Sequence, residues 1–282
     1  MPELPEVETV RKGLQQYMEG QSIGKIEVFT SKLRWELPES FEKNLINQTI
    51  TTIARRGKYL ILEVSNGHCL IVHLGMTGSF AIFSTNGFPK YDNCRRDKHD
   101  HVVFHLGNGT VIAYNDPRKF GIMNLIPESE LSIYPPLKTL GVEPLGNGFD
   151  EKYLKYHLDR RSSPVKNFLL DQKIIAGIGN IYASEALWRA GISPRRKAYR
   201  ISQKKAGLLV KAIRDVLNEA IKSGGSTLRN YRSVAGNLGY FQHQFCVYDQ
   251  EGRPCNNENC DGQINRIVQT GRSTFYCPSC QK

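Results

Sequence analysis

Apolar residues Leu4, Val7, Val10, Leu14 and Tyr17 recur at the spacing of one helix face, and Gly20 closes the segment. The chain therefore opens on an amphipathic helix with Glu3 and Glu6 one turn apart near its start. Strand-like runs follow over 23–30, 49–55, 59–64, 69–74, 79–83, 101–106 and 110–114. Asn66-Gly67 and Asn108-Gly109 lie between such runs and predict hairpin turns. Many short strands with tight turns predict an antiparallel sandwich or barrel with the first helix packed on it. From Tyr134-Pro135-Pro136 to Gly146-Asn147-Gly148 the chain is rich in breakers and reads as a boundary. Beyond it the period turns helical over 150–158, 164–171, 181–190 and 202–222, and Gly224-Gly225 ends the last segment. A polar loop then runs to about Gly239. The fold class expected is α+β with two domains. Residues 1–133 would form the β-sandwich, 134–149 a linker, 150–239 a helical domain, and 240–282 a cysteine-rich finger.

Composition narrows the class. A chain of 282 residues with 40% hydrophobic and 23% charged content is ordinary globular protein. No apolar run approaches the roughly 20 residues a membrane helix needs. The polar, acidic amino terminus is unlike a secretory signal, so a cytosolic protein is expected. The net charge of +11 is lopsided: residues 1–149 hold 16 Lys and Arg against 16 Asp and Glu, and residues 150–282 hold 22 against 11. A basic second half suits a polyanion, most economically nucleic acid, although a solvated basic surface explains the charge equally well.

The cysteines sharpen the picture. Four of the seven, Cys255, Cys260, Cys277 and Cys280, crowd the last 28 residues in a Cys-x4-Cys and Cys-x2-Cys arrangement. Two turns supplying four thiolates complete a tetrahedral zinc site, closed to chemistry and therefore structural. Between the pairs, Ile264, Ile267 and Val268, then Phe275 and Tyr276, read as two strands around a turn with Arg272 at its tip. Cys69, Cys94 and Cys246 read as inert thiols.

Other candidate chemistry is distributed along the chain. Removal of Met1 would leave Pro2 a free secondary amine, which titrates near about 8 rather than the about 10.4 of lysine. Such an amine attacking an anomeric carbon collapses directly to an iminium, and Glu3 beside it supplies a carboxyl for proton transfer. Pro and Glu are also good helix-start residues, and taken alone these positions read as that, so the rest of the chain has to carry the chemistry. His73-Leu74-Gly75-Met76-Thr77-Gly78 and Asp116-Pro117-Arg118-Lys119-Phe120-Gly121 present cations and apolar side chains on turns, where they could grip phosphate and wedge a base stack. Taken singly, Met76 and Phe120 read as core packing. Lys58, after Arg55-Arg56-Gly57, could bind phosphate or decorate a strand end. Gly177-Ile178-Gly179-Asn180 offers backbone N–H groups before a helix, where a phosphate or simple capping by Asn180 would fit. It lacks the third glycine of a dinucleotide fingerprint, so no nucleotide cofactor is expected.

These motifs in this order resemble bacterial formamidopyrimidine-DNA glycosylases. The resemblance runs from PELPEVET through RRGKYL, HLGMTG, KHDH, DPRKFG, GIGNIYASEAL and SGGSTL to the ending TFYCPSCQK, and so spans essentially the whole chain. It implies a base-excision repair enzyme with an N-terminal β-sandwich, a helix–two-turn–helix domain and a zinc finger. By that likeness Pro2 would be the Schiff-base nucleophile and Glu3 the principal acid, with Lys58 and Arg272 gripping phosphates and assisting strand cleavage. Met76, Arg118 and Phe120 would fill the gap left by an everted nucleotide. Asn180, with His73, would hold the DNA backbone, and His99, Arg161 and Lys166 would lie along the DNA. The polar loop after Gly224 would be the base-recognition lid. The activity implied is excision of 8-oxoguanine and formamidopyrimidines with β,δ-elimination at the abasic site. The partner would be double-stranded DNA carrying damaged bases or abasic sites. One structural zinc ion, no redox cofactor, a monomer and the bacterial cytosol, with nucleoid association by DNA binding, complete the expectation.

Three features depart from the family's pattern: the Cys-x4-Cys spacing, a longer and more basic stretch from Phe88 to Lys98, and the basic residues Lys119 and Arg161, which keep charge but not fork geometry. Two alternatives stand beside the main reading. One is the sister endonuclease VIII type, for oxidised pyrimidines, against which Leu4 and the long lid argue. The other is a zinc-finger DNA-binding protein without catalysis, against which Pro2, Glu3, Lys58 and Arg272 argue.

Overall fold

A helix, α1, runs from Leu4 to Met18 in the computed structural model, which describes residues 2–83, 96–226 and 241–282. Its buried face is Leu4, Val7, Val10, Leu14 and Met18, so Met18 takes the place expected for Tyr17. Glu3 is the N-cap and exchanges hydrogen bonds with Glu6 in a capping box, which satisfies two of the helix's orphan N–H groups. Gly20 leaves the helix at φ +77°.

Two four-stranded antiparallel sheets follow. One contains β1 (Ile23–Val28), β6 (Asp100–Leu106), β7 (Val111–Asn115) and β5 (Ser79–Phe83), in that spatial order. The other contains β2 (Ile50–Arg56), β3 (Tyr59–Val64), β4 (His68–His73) and β8 (Ile122–Pro127). Alternate side chains from both, such as Leu60, Leu62, Leu70 and Val72 against Val102, Phe104, Ile112 and Tyr114, share one core with Val7, Val10 and Leu14 of α1. The period of two along each strand puts these residues on one face. A short helix, α2 (Phe41–Leu45), inserts Phe41 and Leu45 into the same core. The expected β-sandwich with its packed helix is therefore present. Strand β8 and helix α2 are additions to the sequence reading.

After a short turn of helix, α3 (Pro135–Lys138), the chain is helical: α4 (Glu151–Leu158), α5 (Val165–Leu169), α6 (Asn180–Arg189) and α7 (Gln203–Lys222). Asp150 and Ser202 cap α4 and α7 through their side chains. Leu154, Leu158, Phe168, Ile181, Leu187, Leu209 and Ile213 build a second core. The chain closes with the hairpin β9 (Asn265–Gln269) and β10 (Arg272–Tyr276). Thr270 and Gly271, both at positive φ (49° and 71°), form its two-residue turn.

The chain divides into two compact units, Met1–Lys138 with Gly224–Tyr240, and Thr139–Ser223 with Phe241–Lys282. Among the described residues no helix is long and apolar enough to cross a membrane. Cys94, most of the Phe88 to Lys98 stretch, and the polar loop beyond Ser226 lie outside the described residues.

Candidate nucleic-acid site and metal centre

In the first unit, Pro2 and Glu3 are buried at the start of α1. The Glu3 N–H donates to Glu6 Oε2 at 2.9 Å, and Glu6 Oε1 accepts from the Ser226 N–H and hydroxyl at 2.8 and 3.0 Å. Glu6 thus ties the helix start to the root of the loop after Gly224, a role its position one turn from Glu3 did not announce. Gly225 sits at φ +78°, and a Cβ there would come within 3.1 Å of Glu6 Oε1.

Lys58 lies in the turn between β2 and β3 and is buried. Gly57, at φ +56°, makes that turn, and Arg55 donates to the Gly57 carbonyl at 2.9 Å. Arg55 and Arg11 both pair with Glu8, each at 2.9 Å, so the turn is pinned to α1. Burial alone would raise the Glu8 carboxyl, but the two guanidinium groups outweigh it and hold it below the usual range.

His73 ends β4. Its Nδ1 accepts the Gly75 N–H at 3.0 Å, which makes Nε2 the protonated nitrogen. Burial, then the charges of Lys58 and Arg34, push the imidazole down to about 4. It is neutral at physiological pH, with an Nε2–H to donate.

Met76 and Phe120 are each 42% exposed, so neither is a core residue. The Arg118 guanidinium stacks over the Phe120 ring at 4.5 Å. The two turns touch: a Cβ on Gly75 would lie 2.4 Å from the Phe120 carbonyl carbon. His99 meets the start of the second turn, its carbonyl accepting the Asp116 N–H at 3.0 Å and its ring 6.5 Å from that of His101.

In the second unit, three side chains fasten the hairpin to the helices. Lys166, only 1% exposed, donates to Thr274 Oγ1 at 2.7 Å and to the Ser273 carbonyl at 3.2 Å. Asn167 donates to Thr270 Oγ1 at 2.8 Å, and Asn180 Nδ2 to the Ser273 carbonyl at 2.9 Å. Gly179, not Asn180, is the N-cap of α6, so the simple capping alternative does not hold for Asn180. The Gly177 N–H is already donated to Gln172 Oε1 at 2.8 Å. Arg161 is half-exposed and 3.5 Å from Asp171. Arg272, exposed, begins β10 directly after the turn.

The four clustered cysteines converge, with all Sγ atoms within 4.8 Å of one another. Cys255 and Cys280 are 3.7 Å apart, and Cys260 and Cys277 3.5 Å. The edge of a tetrahedron of thiolates at about 2.3 Å from a metal is about 3.8 Å, so the set fits a four-coordinate ion. Burial opposes the Cys277 thiolate, but the N–H groups of Cys280 and Ser279 bring the thiol down to about 7. Trp188 Nε1–H points at Cys255 Sγ at 3.3 Å. Gly262 is required where it stands, because a Cβ would lie 2.8 Å from Cys277 Sγ. By contrast, burial pushes the Cys69 and Cys246 thiols up to about 11, in keeping with inert residues. Glu185 of α6, fully buried, accepts the N–H groups of Cys246, Val247 and Tyr248 at 3.0, 3.0 and 2.8 Å and so anchors the chain entering the finger. Burial raises its carboxyl against these three donors. A lone acid among apolar helix positions was the sequence signal for it.

Two family models match: the formamidopyrimidine-DNA glycosylase N-terminal domain over residues 1–123, and its H2TH domain over residues 140–232. The chain belongs to the formamidopyrimidine-DNA glycosylase family. It is 50% identical to the formamidopyrimidine-DNA glycosylase of Ruegeria pomeroyi and 49% identical to that of Dinoroseobacter shibae, covering 100% of each chain in both alignments. Among solved structures of the family, it is similar to a Lactococcus lactis Fpg variant in complex with a Fapy-dG-containing DNA, with a TM-score of 0.89, 37% identity and full coverage of both chains. A complex of Lactococcus lactis Fpg with abasic-site DNA matches with a TM-score of 0.88 and 38% identity over 99% of each chain. The two-domain α+β architecture of the family and the four-cysteine cluster at the carboxy-terminal end are both present here.

Proposed function

We propose that the protein is a bifunctional DNA glycosylase and abasic-site lyase of base excision repair, acting on oxidised purines such as 8-oxoguanine and formamidopyrimidines in duplex DNA. The observation that carries the reading is the start of α1, where Pro2 adjoins the capping pair Glu3 and Glu6 and both Pro2 and Glu3 are buried. After loss of Met1, the Pro2 nitrogen attacks C1′ of the damaged nucleoside. The glycosidic bond breaks and the base leaves as it gains a proton, with Glu3 the acid. The attached amine sheds its proton, the C1′–O4′ ring bond opens with O4′ taking a proton, and the resulting iminium acidifies the C2′ hydrogen. Its removal expels the 3′ phosphate, a second elimination expels the 5′ phosphate, and water frees the amine from the sugar fragment.

A base stacked in a duplex hides its glycosidic bond, so it must be everted at a cost of a few kcal/mol. Met76, Phe120 and Arg118 fill the vacated stack in this reading. His73 donates its Nε2–H to phosphate, while Lys58 and Arg272 grip phosphates and assist strand cleavage. Asn180, His99, Arg161 and Lys166 serve the DNA backbone, Lys166 by holding Ser273 and Thr274 beside Arg272. One zinc ion, bound by Cys255, Cys260, Cys277 and Cys280, folds the finger and takes no part in the reaction. The protein acts as a monomer in the bacterial cytosol.

A Lactococcus lactis relative has been solved with an oxidised-pyrimidine-containing DNA. The test is therefore a single-turnover cleavage assay on duplexes carrying 8-oxoguanine, a formamidopyrimidine or thymine glycol. Fast excision of the two purine lesions with nicking on both sides of the lost nucleoside is expected. Preference for thymine glycol would move the protein to the pyrimidine-directed reading, and binding without any cleavage would end the enzymatic one.

A further inference from the structure

The turns carrying Met76 and Phe120 come from different strand pairs, yet one buried carboxylate joins them. Asp116 is fully buried with no cation among its hydrogen-bond partners in the described residues. Its Oδ1 accepts the Thr77 hydroxyl at 2.5 Å, and its Oδ2 accepts the Gly121 N–H at 2.8 Å and the Tyr114 hydroxyl at 3.4 Å. The same Thr77 oxygen accepts the Arg118 N–H at 3.3 Å. The Thr77 hydroxyl, on the residue next to Met76, therefore holds Asp116 and Arg118 on one side of Phe120, and the same carboxylate holds Gly121 on the other. Glycines let the backbones close on this point: a Cβ on Gly121 would overlap the Tyr114 hydroxyl at 1.8 Å, and one on Gly78 would meet it at 2.5 Å. A buried carboxylate is tolerated only with its acceptor sites filled, so the Thr77 hydroxyl is part of what makes Asp116 stable there.

We propose that Thr77 and Asp116 form a latch that makes the Met76 and Phe120 turns one preorganised wedge, and that Thr77 is a positioning residue for nucleotide eversion. This rests on the glycosylase reading above. Two exposed apolar side chains on independent turns would each lose freedom on entering a base stack. Side chains held on one rigid support lose less, and the difference appears in the eversion step. The latch touches no proton-transfer group, so elimination at a site with no base to evert depends on it far less.

The substitution Thr77→Val removes the hydroxyl at nearly constant volume, and Thr77→Ser restores it. Hydrogen exchange on the free protein reads the latch without any substrate: the Arg118 and Gly121 amides should exchange about tenfold faster in Thr77→Val and as in wild type in Thr77→Ser. Single-turnover excision of 8-oxoguanine from duplex should slow about tenfold in Thr77→Val and recover in Thr77→Ser, with cleavage of a pre-formed abasic site slowed no more than about twofold. Unchanged exchange in Thr77→Val overturns the latch. Faster exchange with unchanged duplex excision, or with both substrates slowed equally, overturns its role in eversion. Wild-type protein that excises nothing would sink the glycosylase reading instead, and the exchange result would still decide whether the latch exists.

Discussion

His73 Nδ1 accepts the Gly75 N–H, so protonating that nitrogen breaks a bond that shapes the turn carrying Met76. With the folded imidazole at about 4 and the unfolded one at 6.5, the unfolded chain binds the proton more readily between those values. The stability linked to His73 is therefore complete above the unfolded value and is lost as the pH falls toward the folded one. The denaturation midpoint of wild type relative to the non-titrating His73→Gln should fall between about pH 7 and about pH 4.5, and a constant gap would contradict the depressed imidazole. Glu3 makes a separate prediction. Glu3→Gln keeps a side-chain oxygen for the capping bond but removes the transferable proton. Base excision should drop by about a hundredfold or more, with elimination at an abasic site surviving better because no leaving base needs protonation. Equal losses on both substrates, measured under single turnover, would limit Glu3 to helix capping.

The finger is held by four thiols, a two-residue turn, and the side chains of Lys166, Asn167, Asn180, Glu185 and Trp188. Cys277→Ser should lower metal content and DNA affinity together, since a hairpin this small has little core of its own; full binding by metal-free protein would show that the finger holds without its ion. Lys166→Met should cost about 1–3 kcal/mol in unfolding, because the Ser273 carbonyl and Thr274 hydroxyl lose a buried donor. A neutral result would mean that Lys166 does not hold the hairpin. The hairpin was legible in the sequence because Cys spacing, strand pattern and Thr270-Gly271 all agree locally, as were α1 and seven strands of the sandwich. Strand β8 was not. It is an edge strand of 6 residues ending in Pro127 whose buried positions do not alternate, and its pairing with β4 defines it. Helix α2 spans 5 residues, too few to show a period. The motif residues proposed for the site stand out one by one in the sequence, but the connections between them do not. Glu6 to Ser226, Lys166 to Thr274 and Thr77 to Asp116 join residues 220, 108 and 39 positions apart. No local pattern encodes such a pair.

Across the whole molecule, the charge asymmetry is the feature a polyanion would sense first, with 22 basic against 11 acidic residues from position 150 onward. Each phosphate neutralised releases counterions, so the log–log dependence of DNA affinity on salt should steepen by about 0.9 per contact. Arg118→Ala should flatten that slope by about one contact's worth, and an unchanged slope would place Arg118 away from the backbone. The central claim, however, is covalent. Borohydride added during reaction with an 8-oxoguanine duplex reduces the iminium, and peptide mapping by mass spectrometry then locates the sugar fragment. The account predicts a trapped adduct on the amino-terminal peptide at Pro2, absent in Pro2→Gly although that variant still binds the lesion duplex. An adduct on a lysine, or equal trapping by Pro2→Gly, would contradict it.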